Sequence, residues 1–122
     1  MRTLLILSLL AVAGAASASK PDPGNGALVF DESCGECHSV SPAKRNKKGP
    51  TLFDVINRPA AEVPDFKYSE ALKSAHFTWT PEKLDAYIRD PKHAVPGGKM
   101  KFDGLEDPNE RADLLAFLAS KH

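Results

Sequence analysis

Apolar residues recur at helical spacing along much of this chain, and the two-residue alternation of a half-buried strand does not stand out anywhere. Ala27, Leu28 and Phe30 lead into a pair of cysteines, in a stretch that reads as a first helix. Gly26 and Phe30 fall at i and i+4, on one face of it. A glycine inside a helix costs about 1 kcal/mol relative to alanine unless something packs closely on it, so another helix is expected to cross here. Ahead of that helix, Lys20-Pro-Asp-Pro-Gly24 reads as a disordered or turn-like leader. Ser69 to Ser74 reads as a short helix. Thr80-Pro81-Glu82 opens a clearer one, with threonine as cap and proline in the first helical position. Leu84, Tyr87 and Ile88 form its apolar face, and Pro91 ends it. Asp107-Pro108-Asn109-Glu110 is another start signal, followed by a wide apolar stripe of Leu114, Leu115, Phe117 and Leu118. Val40 to Pro64 and Val95 to Asp107 lack periodicity and are punctuated by glycine and proline. The pattern predicts an all-α domain of about four to five helices joined by long loops.

Composition bounds the class. A chain of 122 residues, 42% apolar and 26% charged, fits one small soluble domain. Its start is different in kind. Met1-Arg2 is a positive n-region, Leu4 to Ala13 an apolar run of signal-peptide length, and Ala16-Ser17-Ala18 an A-x-A cleavage site. The expectation is a cleavable secretory signal over 1–18 and one domain over 19–122. The run is too short for a comfortable membrane span. Formal charge is zero, and removing Arg2 with the signal turns it slightly negative. This is no polycation, so any docking field must be local.

Cys34-Gly35-Glu36-Cys37-His38 carries the chemistry. Two cysteines two residues apart, followed at once by histidine, form the attachment signature of c-type haem. Each thiol adds across a vinyl group, the spacing puts both sulfurs on one side of the backbone, and the neutral imidazole of His38 can ligate iron axially. Three other readings compete. A thioredoxin-type redox pair belongs near a βαβ pattern, which is lacking here. A structural zinc site needs four ligands, and there is no second cysteine pair. A disulfide this local closes too short a loop to constrain much of the unfolded chain. Loops this long are uncommon in so small a domain, and they make sense if they wrap a cofactor.

A six-coordinate haem needs a second axial ligand. Met100 is the only methionine besides the initiator and sits on the Gly/Pro-rich loop, outside any helical stripe. Thioether sulfur raises the reduction potential relative to imidazole. His76 and His93 are alternatives that would lower it, and Lys99 would have to lose its proton to ligate.

Taken in order, Gly26, Phe30, the Cys34–His38 motif, Gly49-Pro50-Thr51-Leu52, Arg58, Phe66-Lys67-Tyr68-Ser69, Trp79-Thr80, Tyr87, Pro91, Pro96-Gly97-Gly98-Lys99-Met100, Leu114 and Phe117 resemble the class I c-type cytochromes, including bacterial cytochromes c2 and mitochondrial cytochrome c. The resemblance covers nearly all of the chain from about Gly24 onward. It implies the class I cytochrome c fold around one covalent haem c, held by Cys34 and Cys37, with His38 and Met100 as axial ligands. It implies that the Pro50 carbonyl accepts a hydrogen bond from His38, orienting the ring. Arg58, Tyr68 and Trp79 resemble groups surrounding the haem propionates, and Tyr87 resembles the aromatic lining the methionine side. Gly26 and Phe30 are expected to meet Leu114 and Phe117 where the first and last helices cross.

The chain departs from the family pattern in places. Gly98 stands where a threonine is usual and Leu72 where an asparagine is common. Asp54 and Asn57 replace usual glycines, and asparagine tolerates positive φ better than most residues. Glu32, Glu106 and His93 thin the basic ring, which retains Lys44, Arg45, Lys47, Lys48, Lys92, Lys99 and Lys101.

The resemblance implies a soluble periplasmic one-electron carrier, not an enzyme, that shuttles electrons between respiratory or photosynthetic membrane complexes. The partners it implies are a bc1-type reductase, a terminal oxidase, a photosynthetic reaction centre or a periplasmic dehydrogenase. Docking would be transient, through Lys47, Lys48, Lys92, Lys99 and Lys101, to a monomeric carrier. A solvated basic loop is the rival reading for Lys44 to Lys48. The alternative function is a haem-based enzyme or gas-binding sensor with an open distal iron site.

Overall fold

The computed structural model of the chain describes residues 11, 13–15 and 19–122. The apolar run through Leu10 and the cleavage site expected at Ala16–Ala18 lie outside the described residues. Five helices follow in order: α1 (Pro23–Ser33), α2 (Glu70–Lys73), α3 (Pro81–Arg89), α4 (Pro91–Ala94) and α5 (Pro108–Ala119). Among the described residues the only β pairing is an isolated bridge between Pro59 and Thr78. The fold is all-α, with long loops over 34–69 and 95–107.

The same chemistry starts most of these helices. Four begin with proline in the first turn, where its missing N–H has no helical partner to lose. Asp22, Thr80, Asp90 and Asp107 cap them, each side chain accepting a backbone N–H of the first turn. Ser69 does the same for α2 through Leu72 N–H at 3.1 Å. Two expectations need correction on this ground. The stretch read as a turn-like leader is helical from Pro23, because Asp22 Oδ1 accepts from Gly24 N–H at 2.8 Å and starts the helix early. Pro91 ends α3, and it also begins α4, with Asp90 terminating one helix and capping the next.

Helix α1 crosses α5, and α3 packs on both α5 and α4. The crossing depends on Gly26, which is buried. A Cβ there would lie 2.8 Å from Phe117 Cβ and collide with the Asp113 carbonyl. Phe30 and Phe117 stack beside it, their ring centroids 5.5 Å apart. Asp113 fastens the start of α1 from the other side, accepting from Asp22 N–H and Asn25 Nδ2, both at 2.7 Å. Leu114 and Leu118 of α5 are buried in one cluster with Val29, Phe30, Val55, Trp79, Leu84 and Ile88. The apolar stripes expected of the third and last helices face this core, whereas in α1 the core takes Val29 with Phe30, and Leu28, read with Phe30 from the sequence, is 62% exposed.

Among the described residues no helix is long and apolar enough to cross a membrane.

Candidate haem site

The attachment motif begins where α1 ends. Cys34 N–H and Gly35 N–H both bond to the Phe30 carbonyl at 2.8 Å, and Cys37 and His38 turn back onto the Cys34 carbonyl at 3.0 and 2.9 Å. The motif is therefore one tight turn continuing the helix, with both thiols and the imidazole half-buried. Burial, and then the neighbouring Cys37, push the Cys34 thiol up to about 11. A free thiol in that state is a poor nucleophile at neutral pH, which disfavours dithiol exchange chemistry.

His38 is set by the loop 46–52. Its Nδ1 donates to the Pro50 carbonyl at 2.8 Å, which assigns the proton to Nδ1 and leaves the Nε2 lone pair for a metal. Burial lowers the imidazole pKa, against the Pro50 bond that raises it, while Lys47 and Arg58 lower it further. The ring thus stays neutral at pH 7. Gly49 lies flat on it: a Cβ there would come within 2.7 Å of Nδ1 and 2.8 Å of Nε2. Gly49 N–H also bonds the Cys37 carbonyl at 2.8 Å, and Leu52 N–H the Ser39 carbonyl at 2.8 Å.

Asn46, which sequence reasoning missed, latches this cradle. Its Oδ1 accepts from Thr51 N–H at 2.9 Å and its Nδ2 donates to the Pro64 carbonyl at 3.0 Å. Thr51 is buried, and its carbonyl accepts from Arg58 Nη2 at 3.0 Å. Arg58 Nη1 reaches the Phe53 carbonyl at 3.2 Å, so part of its donor set remains for an anion. Tyr68 accepts Val63 N–H at 3.1 Å through its hydroxyl oxygen, keeping its own proton to donate. Burial raises the Tyr68 pKa, while the Val63 bond and Arg58 lower it. Arg58 and Trp79 are clasped through backbone, with Trp79 N–H on the Arg58 carbonyl at 2.8 Å and Asn57 N–H on the Trp79 carbonyl at 2.7 Å. Asp54 and Asn57, at the family's glycine positions, both take positive φ, 60° and 63°.

Trp79 joins this group to the methionine side. Its ring lies 4.9 Å from Tyr87 and 4.6 Å from Phe77, centroid to centroid. Tyr87 donates to the Met100 sulfur at 4.0 Å, a long bond to a weak acceptor. Burial raises the Tyr87 pKa and keeps the hydroxyl protonated. Met100 is half-buried on its loop. The rival histidines are not in such a setting: His76 is exposed, and His93 is exposed with Nδ1 bonded to Asp90 Oδ2 at 2.5 Å.

The structure therefore groups His38 with Pro50, Arg58 with Tyr68 and Trp79, and Tyr87 with Met100. It also changes the picture of the docking lysines. Lys48 pairs with Glu36 and Lys92 with Asp103, each at 3.1 Å. Lys47 Nζ sits on the Gly35 carbonyl at 2.5 Å. Lys99 and Lys101 flank Met100 and are exposed. The acidic partners lie 11 or 12 residues away in sequence, and no local pattern announces them.

The family model described as Cytochrome c matches residues 24–121, which takes in every one of these groups. The chain belongs to the cytochrome c family. It is 44% identical over 101 residues to "Cytochrome c2" of Rhodomicrobium vannielii, covering 83% of this chain and 80% of that protein. It is 39% identical over 118 residues to "Cytochrome c2" of Blastochloris viridis, covering 97% and 92%. Among solved structures, "cytochrome cH from Methylobacterium extorquens" superposes with a TM-score of 0.76 at 37% identity, covering 82% of this chain and 99% of that one. The fold is the cytochrome c fold and the cofactor is one covalent haem c. The chain is a haem-based electron carrier, not an enzyme.

The residues present suit that cofactor. A neutral imidazole with its Nδ1 proton engaged, and a glycine pressed against the ring, are what an axial histidine needs. A thioether beside a tyrosine hydroxyl supplies a soft second donor.

Proposed function

We propose that Cys34 and Cys37 hold the haem by thioether bonds, that His38 and Met100 are its axial ligands, and that the protein works as a soluble periplasmic carrier after removal of residues 1–18. The observation that carries this reading is the His38–Pro50 bond over Gly49, which holds one imidazole nitrogen ready for iron at the attachment motif. When bound, the haem supplies one iron that cycles between ferric and ferrous states. The chain's own residues do the rest. Pro50 orients His38 and increases its basicity. Tyr87 donates to the Met100 sulfur and restrains the loop that bears it. Arg58, Tyr68 and Trp79 supply hydrogen-bond donors for the propionates, whose charge is costly to desolvate unpaired. With both axial positions taken, there is no open site for a substrate.

The partners fitting this reading are membrane electron-transfer complexes (a bc1-type reductase, a terminal oxidase or a reaction centre) or a periplasmic dehydrogenase. They would dock transiently on Lys47, Lys48, Lys92, Lys99 and Lys101. Lys48 and Lys92 are paired within the chain, so Lys47, Lys99 and Lys101 are the members of this set with no carboxylate partner among the described residues.

Two measurements test the reading. Mass analysis of the exported, denatured protein is expected to show one haem on the chain, with neither cysteine open to alkylation. The native ferrous protein is expected not to take up CO readily. Alkylatable cysteines would overturn the attachment, and ready CO binding would favour the open-site sensor or enzyme.

A further inference from the structure

The loop that carries Met100 is tied down at both ends, and the two ties differ. Its outgoing limb is held locally, with Val95 N–H on the Pro91 carbonyl at 3.0 Å and Gly98 N–H on the Val95 carbonyl at 3.1 Å. Its returning limb is held from across the molecule. Leu105 N–H bonds the Ile88 carbonyl of α3 at 2.9 Å. The Leu105 and Glu106 carbonyls both accept from one atom, Arg111 Nη1 of α5, at 2.9 and 2.7 Å. Arg111 Nε meanwhile meets Asp85 Oδ1 of α3 at 2.8 Å. Arg111 is 7% exposed, far below the usual accessibility of an arginine. At Gly104, with φ +110°, a side chain would run into the Arg89 carbonyl, so the limb lies flush on the end of α3.

One guanidinium thus joins α5, α3 and the returning limb, and α3 also bears the Tyr87 hydroxyl that meets the Met100 sulfur. We propose that Arg111 is a positioning residue for Met100: it clamps the limb of the Met100 loop to the α3–α5 pair and so opposes release of the sulfur. This rests on Met100 being the axial ligand. The geometry requires arginine, since its planar fork reaches a carboxylate and two carbonyls in fixed directions, and a lysine ammonium on a flexible stem does not.

The test is imidazole binding to the ferric holoprotein. Added imidazole takes the iron only in molecules whose Met100 has let go, so its apparent affinity rises with the open fraction. Arg111→Lys is expected to tighten apparent imidazole binding about tenfold, the equivalent of one or two lost buried hydrogen bonds. Gly26→Ala presses on Asp113 and Phe117 at the α1–α5 crossing and leaves every Arg111 contact in place, and is expected to stay within about twofold. An unchanged Arg111→Lys protein overturns the clamp. Equal tightening in both variants also overturns it, by showing that general loosening around α5 is enough to release the sulfur. Hydrogen exchange of the unaltered holoprotein gives a readout that needs no variant to fold. The Leu105 amide is expected to exchange with the slow α5 amides, and exchange at the rate of the exposed loops sinks the clamp. If the unaltered ferric protein shows no sulfur-to-iron absorption band, Met100 ligation itself fails, and this inference goes with it.

Discussion

Replacing Asn46 by alanine tests how the His38 cradle is held. The Asn46 carboxamide ties Thr51 N–H at 2.9 Å to the Pro64 carbonyl at 3.0 Å, and the segment between 46 and 51 presents Pro50 to the imidazole. Thr51 is 3% exposed, so in the alanine variant its N–H loses its partner where water reaches poorly. Leaving such a donor unsatisfied costs about 1–3 kcal/mol, and loss of the ordinary bond to Pro64 adds about 1 kcal/mol. The expected destabilisation is about 2–4 kcal/mol, large against a total stability of roughly 5–15 kcal/mol. Asn46→Asp keeps the acceptor for Thr51 and loses only the donor to Pro64, so it is expected to cost about 1 kcal/mol. The assay is denaturant unfolding of the ferric holoprotein, with an unchanged slope showing that the unfolded state is unaltered. An alanine variant within about 0.5 kcal/mol of the parent would refute the reasoning. An aspartate variant as damaged as alanine would shift the effect to Pro64.

Other perturbations have equally definite signs. Gly26→Ala gains up to about 1 kcal/mol of helix propensity but forces a Cβ onto the Asp113 carbonyl and Phe117, an overpacking cost of about 1–3 kcal/mol. Net loss of stability is expected on thermal unfolding, and a gain would show that the α1–α5 crossing yields easily. Asp113 titrates below its ordinary 3.8 because Asp22 N–H and then Asn25 stabilise its charged form. A depressed folded pKa contributes stability above the ordinary value that is lost as pH falls through the folded one. Asp113→Asn should therefore be less stable than the parent at neutral pH and converge with it in acid, and a gap independent of pH would contradict the assignment. Glu36→Gln releases Lys48 from its pair, and reaction with an acidic redox partner should then speed up severalfold at low ionic strength and converge at high salt. A flat salt response in both proteins would remove electrostatic steering from the account.

What could be read from the sequence follows from how local each signal is. Thr80-Pro81 and Asp107-Pro108 announced α3 and α5 because cap and first-turn proline are adjacent. The same pair at Asp22-Pro23 and Asp90-Pro91 is hidden, the first among turn-forming residues and the second by a proline that also stops α3. Gly26 could be given a crossing helix because an interior glycine needs a packing reason, and Asp113 and Phe117 supply it. Asn46 and Arg111 were not legible. Each acts by reaching backbone carbonyls or amides from a distance set only by the fold, and a polar side chain that does so has no period or spacing to mark it. The positive φ at Asp54, Asn57, Asp65 and His76 falls on residue types enriched in that region, whereas those at Lys44 and Ala61 follow no residue preference.

The central claim is that one iron sits between His38 and Met100. The most direct measurement is the absorption spectrum of the exported ferric protein, beside that of Met100→Ala. The account predicts c-type haem bands in both, with a weak sulfur-to-iron charge-transfer band in the parent that disappears in the variant. Haem bands without that band in the parent would contradict it, leaving the distal position open or held by another side chain.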